Sequence, residues 1–226
     1  MIQSTGQMPD AIIFDLDNTL CTFTDAKHAA CRAVIEYLGI GDAEELFRYF
    51  LRPDHGFEDP RHIHDYIHDL GVFTPEMASY LTNLFDEIKL AHINPYPGVI
   101  QGLIAIFEKG ISMAIVTDAA SGQAIKRIER CGLSDFFRIL VTPDISGKRK
   151  PDHYPFLYAI NRLQTAASNI WLVGDSIRRE ITPGIELGYT TVYARYGDWT
   201  NTYNGEKPTY AIDSFPELLP LLGISP

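Results

Sequence analysis

Four short segments carry residue types that packing alone does not require. Asp15 and Asp17 stand at alternate positions in Phe14-Asp15-Leu16-Asp17-Asn18-Thr19, directly after an apolar tetrapeptide. If the backbone stays extended there, both carboxylates project to one side and crowd one centre. Two carboxylates held that close repel, so a cation or a proton must relieve them. Val116-Thr117-Asp118 follows a second apolar run and leads through Ala119-Ala120-Ser121 into a helix, where a hydroxyl and free backbone N–H groups make a seat for one phosphate-sized anion. Gly147-Lys148-Arg149-Lys150-Pro151-Asp152 brings three cations ahead of another helix, with Asp152 as its expected N-cap. Gly174-Asp175-Ser176, with Glu180 close behind, adds carboxylate at a further strand end. Each segment also has an ordinary reading as a turn, a cap or a solvated loop; their combination is what carries the chemistry.

Whether the four meet depends on the elements between them. Strand-length apolar runs occur at AIIF (11–14), SMAIVT (112–117), FRILVT (137–142), IWLVG (170–174) and TTVYA (190–194). Between them lie patterns of helical period, Val99, Ile100, Leu103, Ile104 and Phe107, then Ile125, Ile128 and Cys131, stopped by Gly110 and Gly132. Alternating strands and helices predict an α/β fold, a Rossmann-like doubly wound parallel sheet covered on both faces. Ligands bind outside the carboxyl ends of such strands, so chemistry is expected just after each apolar run, where three of the four segments begin. From about 22 to 95 the alternation stops. Ala26, Ala29, Ala30, Ala33, Val34 and Tyr37 have helical spacing with a stop at Gly39, and Thr74-Pro75-Glu76 opens a second helix continued by Leu81, Leu84, Phe85 and Ile88. That is too long for a connection. The chain is therefore expected to divide into an α/β core at 8–20 plus 96–226 and an inserted helical cap at 21–95, with Pro95, Pro97 and Gly98 at the return. The tail SFPELLPLLGISP is expected to form a terminal helix on the core.

Composition narrows the function classes. The 226 residues include 19 basic and 29 acidic side chains, a formal charge of −10, which argues against non-specific nucleic-acid binding. No stretch reaches the roughly 18–20 apolar residues of a membrane span, and MIQSTGQMPD has neither a basic flank nor an apolar h-region, so no membrane or secretory role is expected. Cys21, Cys31 and Cys131 are odd in number and lack Cys-x-x-Cys spacing, so no disulfide framework or thiolate zinc site is implied and a cytoplasmic location is expected.

Taken in order, DLDNT, Thr117, Lys150 in KPD and GDS with Glu180 resemble the four motifs of the haloacid dehalogenase superfamily of phosphohydrolases. The resemblance covers the α/β core; the cap is similar in position and helical character to the first cap class, as in the phosphoglycolate phosphatase and β-phosphoglucomutase branch. It implies that the Asp15 carboxylate attacks phosphorus to form an aspartyl-phosphate, while Asp17 protonates the leaving oxygen and later accepts a proton from water. It implies Mg2+ held by Asp15, the Asp17 backbone carbonyl and Asp175, with Glu180 in the outer shell or acting through water. Lys150, with Lys148 as fallback, would neutralise the nucleophile and the transferring group. Thr117 and backbone N–H groups near Asp118 and Asp17 would bind phosphoryl oxygens.

The sequence departs from the family pattern at Asp118, where asparagine is usual, and at Glu180, where aspartate is commoner. Asp118 adds negative charge near an anion site, or turns aside to cap the helix. Asp17 favours phosphate substrates, since dehalogenases of the superfamily lack an acid there. In the cap, Arg48, Arg52, His55, Arg61, His62, His64 and His68 cluster; Arg52, His55 and Arg61 are the candidate substrate contacts. His64 and His68, at i and i+4 without a third ligand pattern, read as surface or packing groups rather than metal ligands. The expected function is a magnesium-dependent phosphatase acting on a small phosphorylated metabolite. The alternatives are a phosphomutase of the β-phosphoglucomutase type and a catalytically weak binding module. A monomer or homodimer is expected, with Tyr196, Trp199 and Tyr203 as either partner contacts or core cover.

Overall fold

The computed structural model describes residues 8–164, 168–200 and 205–225; Tyr203 and the first seven residues lie outside them. Every apolar run contains a strand: β1 (Ala11–Phe14), β2 (Ser112–Val116), β3 (Ile139–Val141), β4 (Ile170–Gly174) and β5 (Thr190–Ala194). A further strand, β6 (Tyr210–Ile212), escaped the sequence reading because it is three residues long and buries only Ile212. All pair in parallel in the order β3-β2-β1-β4-β5-β6. β1 is central, with Phe14 level with Ile115 on one side and Val173 on the other. The chain winds from β1 to β2 and β3, then returns past β1 to β4, so the winding direction reverses between β1 and β4, the crevice where doubly wound sheets bind ligands.

The chain divides into two units, one running to Thr22 and resuming at Asn94, the other Phe23–Ile93. The second is all helical: α1 (Phe23–Leu38), α2 (Ala43–Tyr49), α3 (Arg61–Asp69) and α4 (Pro75–His92). α1 stops where Gly39 adopts a left-handed φ of 67°, and α4 starts where the Thr74 hydroxyl accepts from Met77 N with Pro75 in the first turn. Its core gathers Val34, Leu46, Phe50, Ile63, Tyr66, Leu81 and Phe85. Two lysines are buried there, Lys27 over the rings of Phe57 and Phe50 at 3.6 and 4.0 Å, and Lys89 paired with Asp86 at 2.9 Å.

In the sheet unit, α5 (Val99–Glu108), α6 (Ser121–Arg130), α7 (Pro143–Ser146), α8 (Tyr154–Leu163), α9 (Thr182–Glu186) and α10 (Leu218–Leu221) connect or follow the strands. Ile13, Val116, Val141 and Leu172 pack with Phe156 and Ala159 of α8 on one face. In the tail, Phe215 lies buried with its ring 6.1 Å from that of Phe14. The buried faces of α5 and α6 are turned from those the apolar spacing suggested. α5 buries Val99, Gly102, Leu103 and Ile106 and exposes Ile104 and Phe107; α6 buries Ala124, Arg127 and Ile128 and exposes Ile125. A ring against Gly102 explains the first, since a Cβ there would sit 2.5 Å from Phe215. An ion pair explains the second.

Candidate active site

Asp15 is the first residue beyond β1, and its N–H still joins the ladder, donating to Val173 O at 2.9 Å. The backbone then folds back at once, with Leu20 N and Cys21 N both donating to Leu16 O and Asn18 in the left-handed region at φ 61°, which asparagine tolerates. Because the segment turns instead of staying extended, its two carboxylates take different partners. Asp15 is buried, accepts from Lys150 Nζ and receives the Thr19 hydroxyl at 3.3 Å. Asp17 pairs with the Arg127 guanidinium of α6. Tyr196, read from sequence as partner contact or cover, donates its hydroxyl to Thr19 O at 2.7 Å and braces this turn, whereas Trp199 is exposed.

Lys150 brings a buried cation to Asp15. Its ammonium is buried, donates to Val116 O at 3.2 Å, and lies between Asp15 and Glu180, 2.6 Å from the latter. Burial works against the charge, but Asp15 and Glu180 outweigh it and raise the pKa above the ordinary lysine value. Lys148, the fallback, is largely exposed and faces Asp152 at 3.7 Å. Thr117 continues the β2 ladder to Val141 O and its hydroxyl accepts from Ala119 N at 3.1 Å, at the start of α6. Asp118 does not cap that helix. Its carboxylate accepts from Lys150 N at 2.9 Å and its carbonyl from Arg149 at 2.8 Å, so the extra charge fastens the lysine loop. Nor is Asp152 the N-cap of α8: His153 holds that position, and Asp152 accepts from Tyr154 N one residue further out.

Asp15, Asp175 and Glu180 form the acidic centre, one carboxylate oxygen from each lying within 4.8 Å of the others, all buried. Glu180, expected to act on a metal from the outer shell or through water, lies with its carboxylate among these groups. The reason is a π-helical turn, Ile177–Ile181, whose wide winding points Glu180 back at the strand end. One carboxylate oxygen accepts from Ser176 N at 3.0 Å and the other meets Lys150, while the Ser176 hydroxyl accepts from Arg179 N. Gly174 makes room, since a Cβ there would lie 2.3 Å from Glu180 Cγ. Burial pushes the Asp175 pKa well up, with Asp15 and Glu180 adding to it against Arg179 and Lys150. Burial likewise raises Glu180. Three buried, hard oxygen donors this close together could hold a small divalent cation. Asp17 contributes no side-chain oxygen to this set.

Three residues here had no signal in the sequence reading: Arg127, Arg179 and Gly197. Arg179 Nη2 stands 3.4 Å from Asp175 Oδ1. A Cβ on Gly197 would fall 1.6 Å from Asn18 O and 3.1 Å from Asp175 Cβ.

In the helical unit, Arg52 stacks on Tyr49 at 3.3 Å, Arg61 gives two N–H groups to Asp59, and His55 meets Asp65 at 3.1 Å. Arg48 is exposed. His62 is buried against Gly56 O, His64 meets the Thr82 hydroxyl, and His68 is exposed beside Asp69. No helix among the described residues is long and apolar enough to cross a membrane.

Residues 12–194 match the family described as haloacid dehalogenase-like hydrolase. The chain belongs to that family. It is 27% identical over 222 residues to a glyceraldehyde 3-phosphate phosphatase of Methanocaldococcus jannaschii, covering 95% of this chain and 97% of the relative. It is 29% identical over 217 residues to a phosphoglycolate phosphatase of Thiobacillus denitrificans, covering 90% and 88%. Among solved structures, the HAD hydrolase YfnB of Bacillus subtilis, crystallised bound to magnesium, superposes with a TM-score of 0.75 at 21% identity, covering 96% of this chain and all (100%) of that one. That likeness is one of fold.

Proposed function

We propose that this hydrolase cleaves the phosphate monoester of a small metabolite, with Asp15 as nucleophile and Mg2+ as cofactor. The observation that carries the reading is the buried Lys150 ammonium bridging Asp15 and Glu180 beside Asp175 at the switch point of the sheet. A cation fixed against a carboxylate nucleophile is preorganised for a dianionic substrate, because its charge is in place before the phosphoryl group arrives. The relatives named as phosphatases of glyceraldehyde 3-phosphate and phosphoglycolate support a small, anionic ester.

In this mechanism an Asp15 carboxylate oxygen bonds to phosphorus as the ester P–O bond breaks, and Asp17, once released from Arg127 and protonated, gives its proton to the departing oxygen. Water then attacks the aspartyl-phosphate, Asp17 takes the water proton, and the P–O bond to Asp15 breaks to release phosphate. Thr19 holds one Asp15 oxygen and Lys150 the other, so the nucleophile is oriented before substrate binds. Thr117 and the N–H groups at the start of α6 receive phosphoryl oxygens. Asp15, Asp175, Glu180 and the Asp17 carbonyl would hold Mg2+, which when bound supplies positive charge to the phosphoryl oxygens. Phe23–Ile93 serves as the cap, with Arg52, His55 and Arg61 as its candidate substrate contacts, and the protein works in the cytoplasm.

The test is phosphate release from an aryl phosphate and a panel of phosphorylated metabolites, with and without Mg2+, for wild type and Asp15→Asn. Turnover that requires Mg2+ and vanishes in Asp15→Asn is the expected result. Full turnover in the variant, or after chelation, would overturn the assignment.

A further inference from the structure

One charge at the acidic centre is unused by the mechanism above. Arg179 sits on the π-helical turn, immediately before Glu180, with its guanidinium 3.4 Å from Asp175 Oδ1. The turn fixes its backbone, because Arg179 N donates to the Ser176 hydroxyl while Ser176 N donates to Glu180. Its side chain is 32% exposed, whereas the Asp175 carboxylate it meets is buried. A guanidinium keeps its charge at any ordinary pH.

The charge count gives this contact its meaning. Fully ionised, as a metal site requires, Asp15, Asp175 and Glu180 bring three negative charges, and Lys150 cancels one. Arg179 cancels another, so the centre is close to balance without any added ion. A divalent cation would draw on the same Asp175 carboxylate, and like charges a few ångströms apart in a largely buried site repel strongly. We propose that Arg179 is a tethered counter-cation that competes with the divalent ion for Asp175 and so sets the affinity of the site for metal. The inference rests on the reading that this centre holds such an ion. It has two consequences of opposite sign. Removing the guanidinium weakens the metal-free fold, because the carboxylates lose a partner, and it strengthens metal binding, because the ion loses a competitor. An arginine that merely braced the turn would, when removed, weaken both.

The experiment uses the metal-stripped full chain, with Mg2+ binding followed by titration calorimetry and thermal unfolding followed with and without Mg2+. Arg179→Gln is compared with Arg178→Gln, an exposed neighbour whose loss changes the net charge equally. The expected result is that Arg179→Gln binds Mg2+ about tenfold tighter, about 1.4 kcal/mol, melts lower when metal-free and gains more from Mg2+, while Arg178→Gln tracks wild type. Equal or weaker Mg2+ binding in Arg179→Gln overturns the proposal. Arg179→Lys keeps the charge and guards against a variant that fails to fold: it should stay within about threefold of wild type, and tenfold tighter binding in it would also overturn the idea. If wild type and Asp175→Asn alike bind no Mg2+, the metal reading itself falls. If wild type binds and the two arginine variants match each other, only the role of Arg179 falls.

Discussion

Gly197→Ala is the most direct test of how the site is assembled, because the substitution adds one methyl group and no charge. Its Cβ would lie 1.6 Å from Asn18 O and 3.1 Å from Asp175 Cβ. The first obstacle is backbone, and no real Cβ contact falls below 3.0 Å, so the turn after β1 or the loop after β5 must retreat by at least ~1.4 Å. Overpacking costs typically ~1–3 kcal/mol, and an unyielding carbonyl puts this case near ~3 kcal/mol. For a chain of this size that is roughly 6–12 °C in Tm. The catalytic cost is larger, since Asn18 adjoins Asp17 and the second contact is Asp175 itself; a misplacement near 1 Å costs about 10²-fold in rate. The assay is kcat/KM for Mg2+-dependent phosphate release beside a thermal melt, with Gly122→Ala as control. A Cβ at Gly122 meets nothing within 4 Å, and helix propensity predicts a gain of up to about 1 kcal/mol there. Wild-type kcat/KM and Tm in Gly197→Ala would refute the argument that this approach positions the first turn against Asp175.

Lys150→Met should lower kcat by about 10²–10³-fold, the usual cost of removing a charge aimed at a reacting anion, whereas Lys148→Met leaves kcat near wild type; steady-state kinetics on one aryl phosphate decides between them. Arg127→Met breaks the pair with Asp17 and should cost about 3 kcal/mol in urea unfolding, the low end for a buried pair because the Asp17 side chain keeps 18% exposure. Adding Asp17→Asn to that variant should recover part of the loss, and strict additivity would refute the coupling. Under iodoacetamide at pH 8, Cys131 should label before Cys31. The hydrogen bond from Cys21 lowers the Cys131 pKa, while burial holds the Cys31 thiol up at about 12, leaving a thiolate fraction of about 10⁻⁴; peptide mass spectrometry that finds the reverse order would contradict this.

The α/β alternation, and the placement of Asp15, Thr117 and Asp175 directly beyond strand ends, were legible from the residues alone. Apolar runs must be buried in a parallel sheet, and the segments after them must then emerge along its carboxyl edge. The family resemblance prefers Lys150 to Lys148 by its place before Pro-Asp, but only the fold shows one buried between two carboxylates and the other in solvent. Periodicity carried less. It marked Ile125 and Ile128 as one face of α6 and passed over Arg127, because a pattern of apolar residues cannot register a cation buried by a partner 110 positions away. The position of Glu180 is out of reach of periodicity for a similar reason: side-chain length is written in the sequence, and the π-helical winding that turns it to the strand end is not. Arg179 and Gly197 matter through contacts with Asp175 and Asn18 that exist only once the loops after β4 and β5 close over the first turn. Local composition decides which segments form strands and what chemistry their ends carry. Which charges face one another, at what distance and in how little water, is decided by the tertiary packing, since electrostatic energy depends on separation and solvent and neither is written along a chain.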